Sequence, residues 1–350
     1  MPLRASCGPS DGIADSRSPS ANLAKVSNLR KVGHRVLGTC TVLVLVHLIG
    51  CSPFEKLTKV VEEYPRAAVC GECHPEIHRE WSGSRHAHAY ANAPFRNATN
   101  DYRFGLCLGC HAPEPRLTPG RPAARSAQPE EGVTCVSCHL EEGKLTGPLK
   151  PTGLVAPHPV NVTEARYKDS RFCGRCHEGT YAEWNATTMD KKPTCQECHM
   201  PRVKRKVTQA TGLLSRPLVA LEREEWLKRH LFITNPQELD RPPFSVEAKR
   251  DGETVTVTIK NHVPHLVPTG DFGLRVAVLE AFAVDAKGEA VKIGERELLK
   301  EVGTAIQPQA SLEWKLSVPA DTKSLQVKLT RLAREGVPAA ELIKTELPLR

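Results

Sequence analysis

The sequence predicts two unlike parts: a region of short helices and loops with no side-chain core of its own, and behind it a small antiparallel β-sandwich. Three observations carry that expectation. Five C-x-x-C-H motifs fall within residues 70–199. The chain between them is poor in aliphatic periodicity and broken by Pro-rich loops such as APEPRLTPGRPAARSAQP. From residue 244 onward, apolar and polar residues alternate strictly, the period of half-buried strands.

The motifs are Cys70-Gly-Glu-Cys73-His74, Cys107-Leu-Gly-Cys110-His111, Cys135-Val-Ser-Cys138-His139, Cys173-Gly-Arg-Cys176-His177 and Cys195-Gln-Glu-Cys198-His199. C-x-x-C-H is the signature of covalent c-type haem attachment, in which both cysteines form thioethers and the histidine ligates iron. A lone C-x-x-C could equally belong to a zinc ribbon or a thioredoxin-like enzyme. Here every C-x-x-C is followed by histidine, and an odd number of units cannot all pair around zinc. The expected cofactors are therefore five covalently attached haems, and the first part of the chain is a multihaem cytochrome c. Of 13 cysteines only Cys7, Cys40 and Cys51 lie outside the motifs, so no disulfide is expected in the folded part. With aromatic residues at only 5%, flat apolar porphyrins would fill the interior that side chains cannot.

Residues 1–51 read as a lipoprotein-type signal peptide. Lys25, Arg30, Lys31 and Arg35 precede an apolar run over residues 36–49, too short for a comfortable membrane span and suited to a signal-peptide core. The run ends in Leu48-Ile49-Gly50-Cys51, which resembles a lipobox with Cys51 as the lipidated residue; an uncleaved anchor or an ordinary secretory signal is the alternative. Removing this leader leaves 42 basic against 38 acidic residues, a net charge of +4 instead of +8. Haem propionates bring the loaded protein to neutral or acidic, so the basic balance does not point to nucleic acid.

Residues 52–65 are a linker and residues 66–200 the pentahaem domain, with motifs 37, 28, 38 and 22 residues apart. Short helices are expected in PEIHREW after His74 and GTYAEWNATT after His177. Residues 201–242 form a connector supplying a second axial histidine, with a predicted helix over VALEREEWLKRH that ends at His230. Residues 243–350 are the β-sandwich. Asp251-Gly252 signals a hairpin, Thr254 to Ile259 alternate, and the sets Leu274, Val276, Val278; Leu312, Trp314, Leu316, Val318; and Leu325, Val327, Leu329 repeat that pattern.

Seven histidines remain outside the leader and motifs: His78, His86, His88, His158, His230, His262 and His265. Beyond the initiator, only Met189 and Met200 could compete, so two-histidine ligation is expected. His78, one turn from His74, shares its helix face and cannot reach the far side of the same haem. His86 and His88 point in different directions and could serve two different irons. His158 is stiffened between Pro157 and Pro159. His230 closes the connector, and His265 is preferred over His262.

CGECHPEIHREWSGSRHAHA, GVTCVSCH followed by APHPV, FCGRCHEGTYAEW, CQECHMP and HLVPTG together resemble the multihaem c-type cytochromes related to the tetrahaem cytochrome that takes electrons from hydroxylamine oxidoreductase. The resemblance covers about residues 66–271. It implies distal ligation by His86, His158, His230 and His265, with a turn at Pro268-Thr269-Gly270 returning a histidine from the β-domain to the haems. Two departures stand out: five motifs instead of four, and a histidine at position 78.

Iron closed on both sides can pass electrons but binds no substrate. The leading expectation is a lipid-anchored electron carrier on the periplasmic side of a bacterial membrane, with the outer membrane or cell surface as alternatives. Its redox partners would be a quinol oxidase or periplasmic dehydrogenase as donor and a terminal reductase or outer-membrane conduit as acceptor. The competing expectation is a reductase with one open haem acting on a small nitrogen or sulfur oxyanion. The absence of C-x-x-C-K counts against the pentahaem nitrite reductases. A weaker alternative makes the β-domain a docking module for a partner.

Overall fold

Two cysteines three residues apart come to one side of the backbone only if the chain between them turns helically, and the motifs fold that way. In the computed structural model, which describes residues 65–115, 121–153, 158–209, 216–271, 275–332 and 339–349, the helices are short. They are α1 (Ala67–Gly71), α2 (Pro75–Ser82), α3 (Ala93–Ala98), α4 (Gly105–His111), α5 (Cys135–His139), α6 (Glu164–Lys168), α7 (Glu178–Ala186), α8 (Cys195–His199) and α9 (Arg216–Ala220). The fourth motif begins in a 3₁₀ turn, Ser170–Arg175. The helices expected after His74 and His177 are α2 and α7. The described residues belong to one unit, Lys56–Arg350. The expected leader with Cys51, nearly all of the linker, and Leu274 lie outside the described residues. No described helix is long and apolar enough to cross a membrane.

In the motif region a small apolar cluster of Ala67, Trp81 and Ala87 is supplemented by buried polar side chains. Arg125, 4% exposed, anchors the loop between the second and third motifs. Its guanidinium donates to the carbonyls of Pro113, Ala127, Gln128 and Gly132 at 2.8–3.1 Å and to Ser137 Oγ at 3.2 Å. One planar fork thus satisfies carbonyls that a loop otherwise leaves unpaired. A small sheet follows, β1 (Leu140–Glu141) antiparallel to β2 (Lys144–Gly147) and β2 parallel to β3 (Asn161–Val162).

Of the helix expected over residues 219–230, only Val219 and Ala220 are helical, at the end of α9; further on, β5 (Glu225–Lys228) pairs antiparallel with β4 (Arg202–Arg205), Val203 opposite Leu227. Alternation decides it, since Leu227 is 7% exposed while the adjacent Trp226 is 57% exposed beneath the Arg202 guanidinium. Contacts from outside brace the ladder. Glu80 binds both Arg205 and Arg229, and Arg229 N donates to the Pro201 carbonyl.

The C-terminal part is antiparallel throughout. β6 (Phe244–Asp251) and β7 (Thr254–Asn261) form a hairpin in which Gly252 takes φ +60°, a conformation open to glycine at little cost. With β10 (Ser311–Ser317) they form a three-stranded sheet ordered β10-β7-β6. The second sheet, of four strands, is ordered β12 (Ala340–Pro348), β11 (Ser324–Arg331), β8 (Val276–Val284), β9 (Ala290–Leu299). Val255, Val257 and Ile259 from the first sheet and Leu279, Leu325, Val327 and Leu329 from the second are fully buried in one apolar cluster.

Candidate haem sites

Four of the five motif histidines are oriented by hydrogen bonds to carbonyls outside their own motifs. Nδ1 of His74 lies 2.8 Å from the Val207 carbonyl, that of His111 2.7 Å from Ala89 O, that of His139 3.0 Å from Thr146 O and that of His199 2.5 Å from Ile233 O. A ring that donates from Nδ1 presents an unprotonated Nε2, the state needed to bind a metal.

Four motif histidines face a second histidine across a uniform gap. Ring centres are 6.3 Å apart for His74 and His158, 6.3 Å for His177 and His86, 6.1 Å for His139 and His230, and 6.4 Å for His199 and His265. Two metal–nitrogen bonds of about 2.0 Å, with about 1.1 Å from each nitrogen to its ring centre, add to roughly 6.2 Å. The gap therefore fits one metal atom between each pair, and the residues fit haem. The Nδ1 atoms of His86, His158 and His230 are buried without a hydrogen-bond partner. Such atoms call for a reason, and a metal bonded at that nitrogen would supply one. His265 instead donates from Nδ1 to the Leu266 carbonyl at 2.9 Å.

The remaining histidines behave differently. His111 stacks on Phe95, ring centres 3.7 Å apart and planes within 5°, and among the described residues no second histidine faces it. His88 is exposed, its carbonyl accepting from Asn92, and no described ring faces its imidazole. His78 packs on Trp81 at 5.5 Å, and His262 Nε2 hydrogen-bonds the Ser245 hydroxyl at 2.9 Å.

Burial disfavours the charged form of several ligand candidates. It pushes His86 down to about 3, with the nearby His177 and His230 adding to the effect, and His230 down to about 4, with His139 adding to it. His111, His139, His158, His177 and His265 move the same way, burial being the main cause in each.

The motifs also meet one another. The Cys70 and Cys135 thiols lie close together, as do those of Cys176 and Cys110 and of Cys173 and Cys195. With thioethers formed these become sulfur contacts, so the first motif adjoins the third, and the fourth adjoins both the second and the fifth. Phe232 lies against His86, 4.1 Å between ring centres, and 6.1 Å from His230, which links the third and fourth sites. Among the described residues no three or more His, Cys, Asp or Glu side chains converge as they would on a bare ion.

Sequence reasoning missed the residues that hold the facing histidines. Glu80, almost fully buried, accepts from Arg205 Nη1 and Nη2 at 2.8 Å, Arg229 Nε at 2.9 Å and His230 N at 3.0 Å. Burial pulls this carboxyl upward, but those hydrogen bonds outweigh it and hold the group at about 2. Glu183 accepts from Leu266 N at 3.0 Å and Thr269 Oγ1 at 2.7 Å and pairs with Lys300. Asn261 Nδ2 donates to the His265, Ile306 and Gln307 carbonyls, fastening the His265 turn to the end of β7. An Asn at a strand end gives no signal for this, whereas Glu80 and Glu183 sit in a visible repeat.

The model of the family "Cytochrome c554 and c-prime" matches residues 69–140, which span the first three motifs. No curated protein matches the chain. A penta-heme cytochrome c552 from Thermochromatium tepidum is similar in fold, with a TM-score of 0.56 at 19% identity over 80% of this chain and 97% of that one. A hypothetical protein, PH1083, from Pyrococcus horikoshii OT3 aligns over 30% of this chain and 86% of its own at 18% identity, and its TM-score of 0.21 carries no argument. The family match thus covers the first three motifs, and the likeness to the penta-heme cytochrome is one of fold.

Proposed function

We propose that the protein is a periplasmic electron-transfer cytochrome carrying five covalent haems, four of them closed between His74 and His158, His139 and His230, His177 and His86, and His199 and His265. The observation that carries this reading is the common spacing of those four ring pairs, 6.1–6.4 Å. Bound iron would supply one-electron chemistry at potentials below those of histidine–methionine haems. The chain would offer two ring nitrogens at each of those four sites, burial disfavours the charged form of His86, His139, His158, His177, His230 and His265, and the motifs pack against one another so that electrons need not cross solvent. The two C-terminal sheets, read as a β-sandwich, deliver His265 from the end of β7. Cys51 anchors the chain to a membrane on the periplasmic side. A quinol oxidase or periplasmic dehydrogenase donates, and a terminal reductase or outer-membrane conduit accepts.

A second reading rests on His111, which has no facing histidine among the described residues. An iron held there keeps one position free for a small nitrogen or sulfur oxyanion, and the protein is then a reductase fed through the other sites. Low-temperature EPR of the oxidised holoprotein, with and without nitrite, hydroxylamine and cyanide, tests both. Low-spin ferric signals dominating the spectrum are the expected result, and a mainly high-spin spectrum overturns the carrier reading. A minor high-spin signal that the added ligands shift supports the second reading; its absence removes it.

A further inference from the structure

Two of the five motifs, and only those two, extend into a longer repeat. Cys70-Gly-Glu-Cys73-His74-Pro-Glu-Ile-His78-Arg-Glu80-Trp81 aligns without a gap on Cys173-Gly-Arg-Cys176-His177-Glu-Gly-Thr-Tyr181-Ala-Glu183-Trp184, sharing both cysteines, the glycine, the motif histidine and the final Glu-Trp. Both copies fold alike. The motif histidine precedes a helix, α2 or α7, in a similar backbone conformation, φ −120° and ψ 52° for His74, φ −101° and ψ 54° for His177. The glycine admits a ring from the next turn: a Cβ on Gly71 would meet the His78 ring at 2.8 Å, and one on Gly174 the Tyr181 ring at 2.6 Å. Position 78 is thus a packing position that tyrosine fills in the other copy.

The Glu-Trp pair reaches equivalent places in the two copies. Trp81 Nε1 donates to the Val133 carbonyl at 2.8 Å, and Trp184 Nε1 to the Pro193 carbonyl at 2.8 Å. Val133 and Pro193 each stand two residues before the first cysteine of another motif, Cys135 and Cys195, and the residue between, Thr134 or Thr194, caps that motif's helix. Glu80 takes the backbone N–H of His230, and Glu183 that of Leu266, next to His265. His230 and His265 are the histidines that face His139 and His199. The thiol contacts join the same motifs, Cys70 with Cys135 and Cys173 with Cys195.

We infer that Glu80-Trp81 and Glu183-Trp184 are duplicated clamps, each mounted on the helix of one haem site but setting the axial geometry of the neighbouring one. Tryptophan fixes the approach to the neighbour's motif, glutamate fixes the segment bearing its second ligand, and the His139 and His199 sites are the ones controlled. The glutamates are positioning residues, since neither touches an imidazole ring. Their counter-charges differ, two arginines for Glu80 and one lysine for Glu183.

The inference rests on the ligand pairs proposed above, so the test first checks those. In holoprotein, His158→Ala and His230→Ala should each remove a different low-spin EPR signal, identifying the His74 and His139 sites. If they do not, the ligand assignment itself fails. With the signals identified, Glu80→Gln should shift the g-values and midpoint potential of the His139 site and leave those of the His74 site in place, although Glu80 is carried on the His74 helix. Trp81→Phe, which keeps the ring but loses the donor, should shift the same signal and serves if Glu80→Gln does not fold. Glu183→Gln should likewise move the signal lost in His265→Ala and spare the one lost in His86→Ala. A shift confined to the helix's own site, equal shifts at both, or no shift at either overturns the inference.

Discussion

Replacing His86 with alanine should open a single iron and leave the rest of the molecule in place. His86 lies 6.3 Å from His177 between ring centres, and alanine has no atom that can take the vacated position. His88, only two residues away, is exposed and faces no described ring, so it does not substitute. The cost to folding is modest. The edge-on contact with Phe232, 4.1 Å between centres and 73° between planes, is worth about 0.5–1.5 kcal/mol beyond its buried area, against a typical domain stability of roughly 5–15 kcal/mol. Spin-quantified EPR of the oxidised holoprotein should show one low-spin iron per chain replaced by a high-spin one, with the thermal transition little changed. His88→Ala and His78→Ala should leave the spectrum as in the parent. A high-spin iron produced by His88→Ala and not by His86→Ala would refute the pairing.

Other perturbations act on the scaffold. Asn261→Ala leaves three carbonyls and the Val263 N–H without their side-chain partner; a loss of roughly 2–4 kcal/mol in denaturant titration should accompany selective weakening of the low-spin signal that His265→Ala removes. Gly132→Ala combines φ +60° with a Cβ 2.5 Å from the His86 carbonyl, backbone that cannot yield easily. It should cost about 1–3 kcal/mol and perturb the His177 site before any other, as followed by EPR. Leu279→Ala removes a fully buried side chain from the β-strand core and should cost about 2–5 kcal/mol in thermal melts with the haem spectrum unaltered; altered axial ligation would show that the sheets and the motif region are not separable in this way.

What the amino-acid sequence determined by itself is what depends on near neighbours along the chain. A C-x-x-C-H motif spans one helical turn, so its two sulfurs and its imidazole are brought together by local geometry, and all five motifs were legible. The strand pattern was legible for a similar reason, because alternation reports burial on one face: Val255, Val257 and Ile259 alternate in the sequence and are the fully buried apolar residues of β7. The Glu-Trp repeat was also open to inspection, although only its contacts give it meaning. Tertiary structure alone decided the partners. In the sequence only the resemblance favours His86 over His88, and position separates them physically, one half-buried opposite His177 and the other exposed. The segment around Trp226 carries a helical composition yet forms a strand, because Glu80, some 150 residues earlier, takes the N–H of His230 and pairs with Arg205 and Arg229 on either side of the ladder. Local propensity in so short a segment is worth a few tenths of a kcal/mol per residue, and a buried, fully hydrogen-bonded carboxylate with two guanidinium partners is worth more than that. Contacts made across such sequence distances choose which histidine faces which motif, and they exist only once the chain has folded.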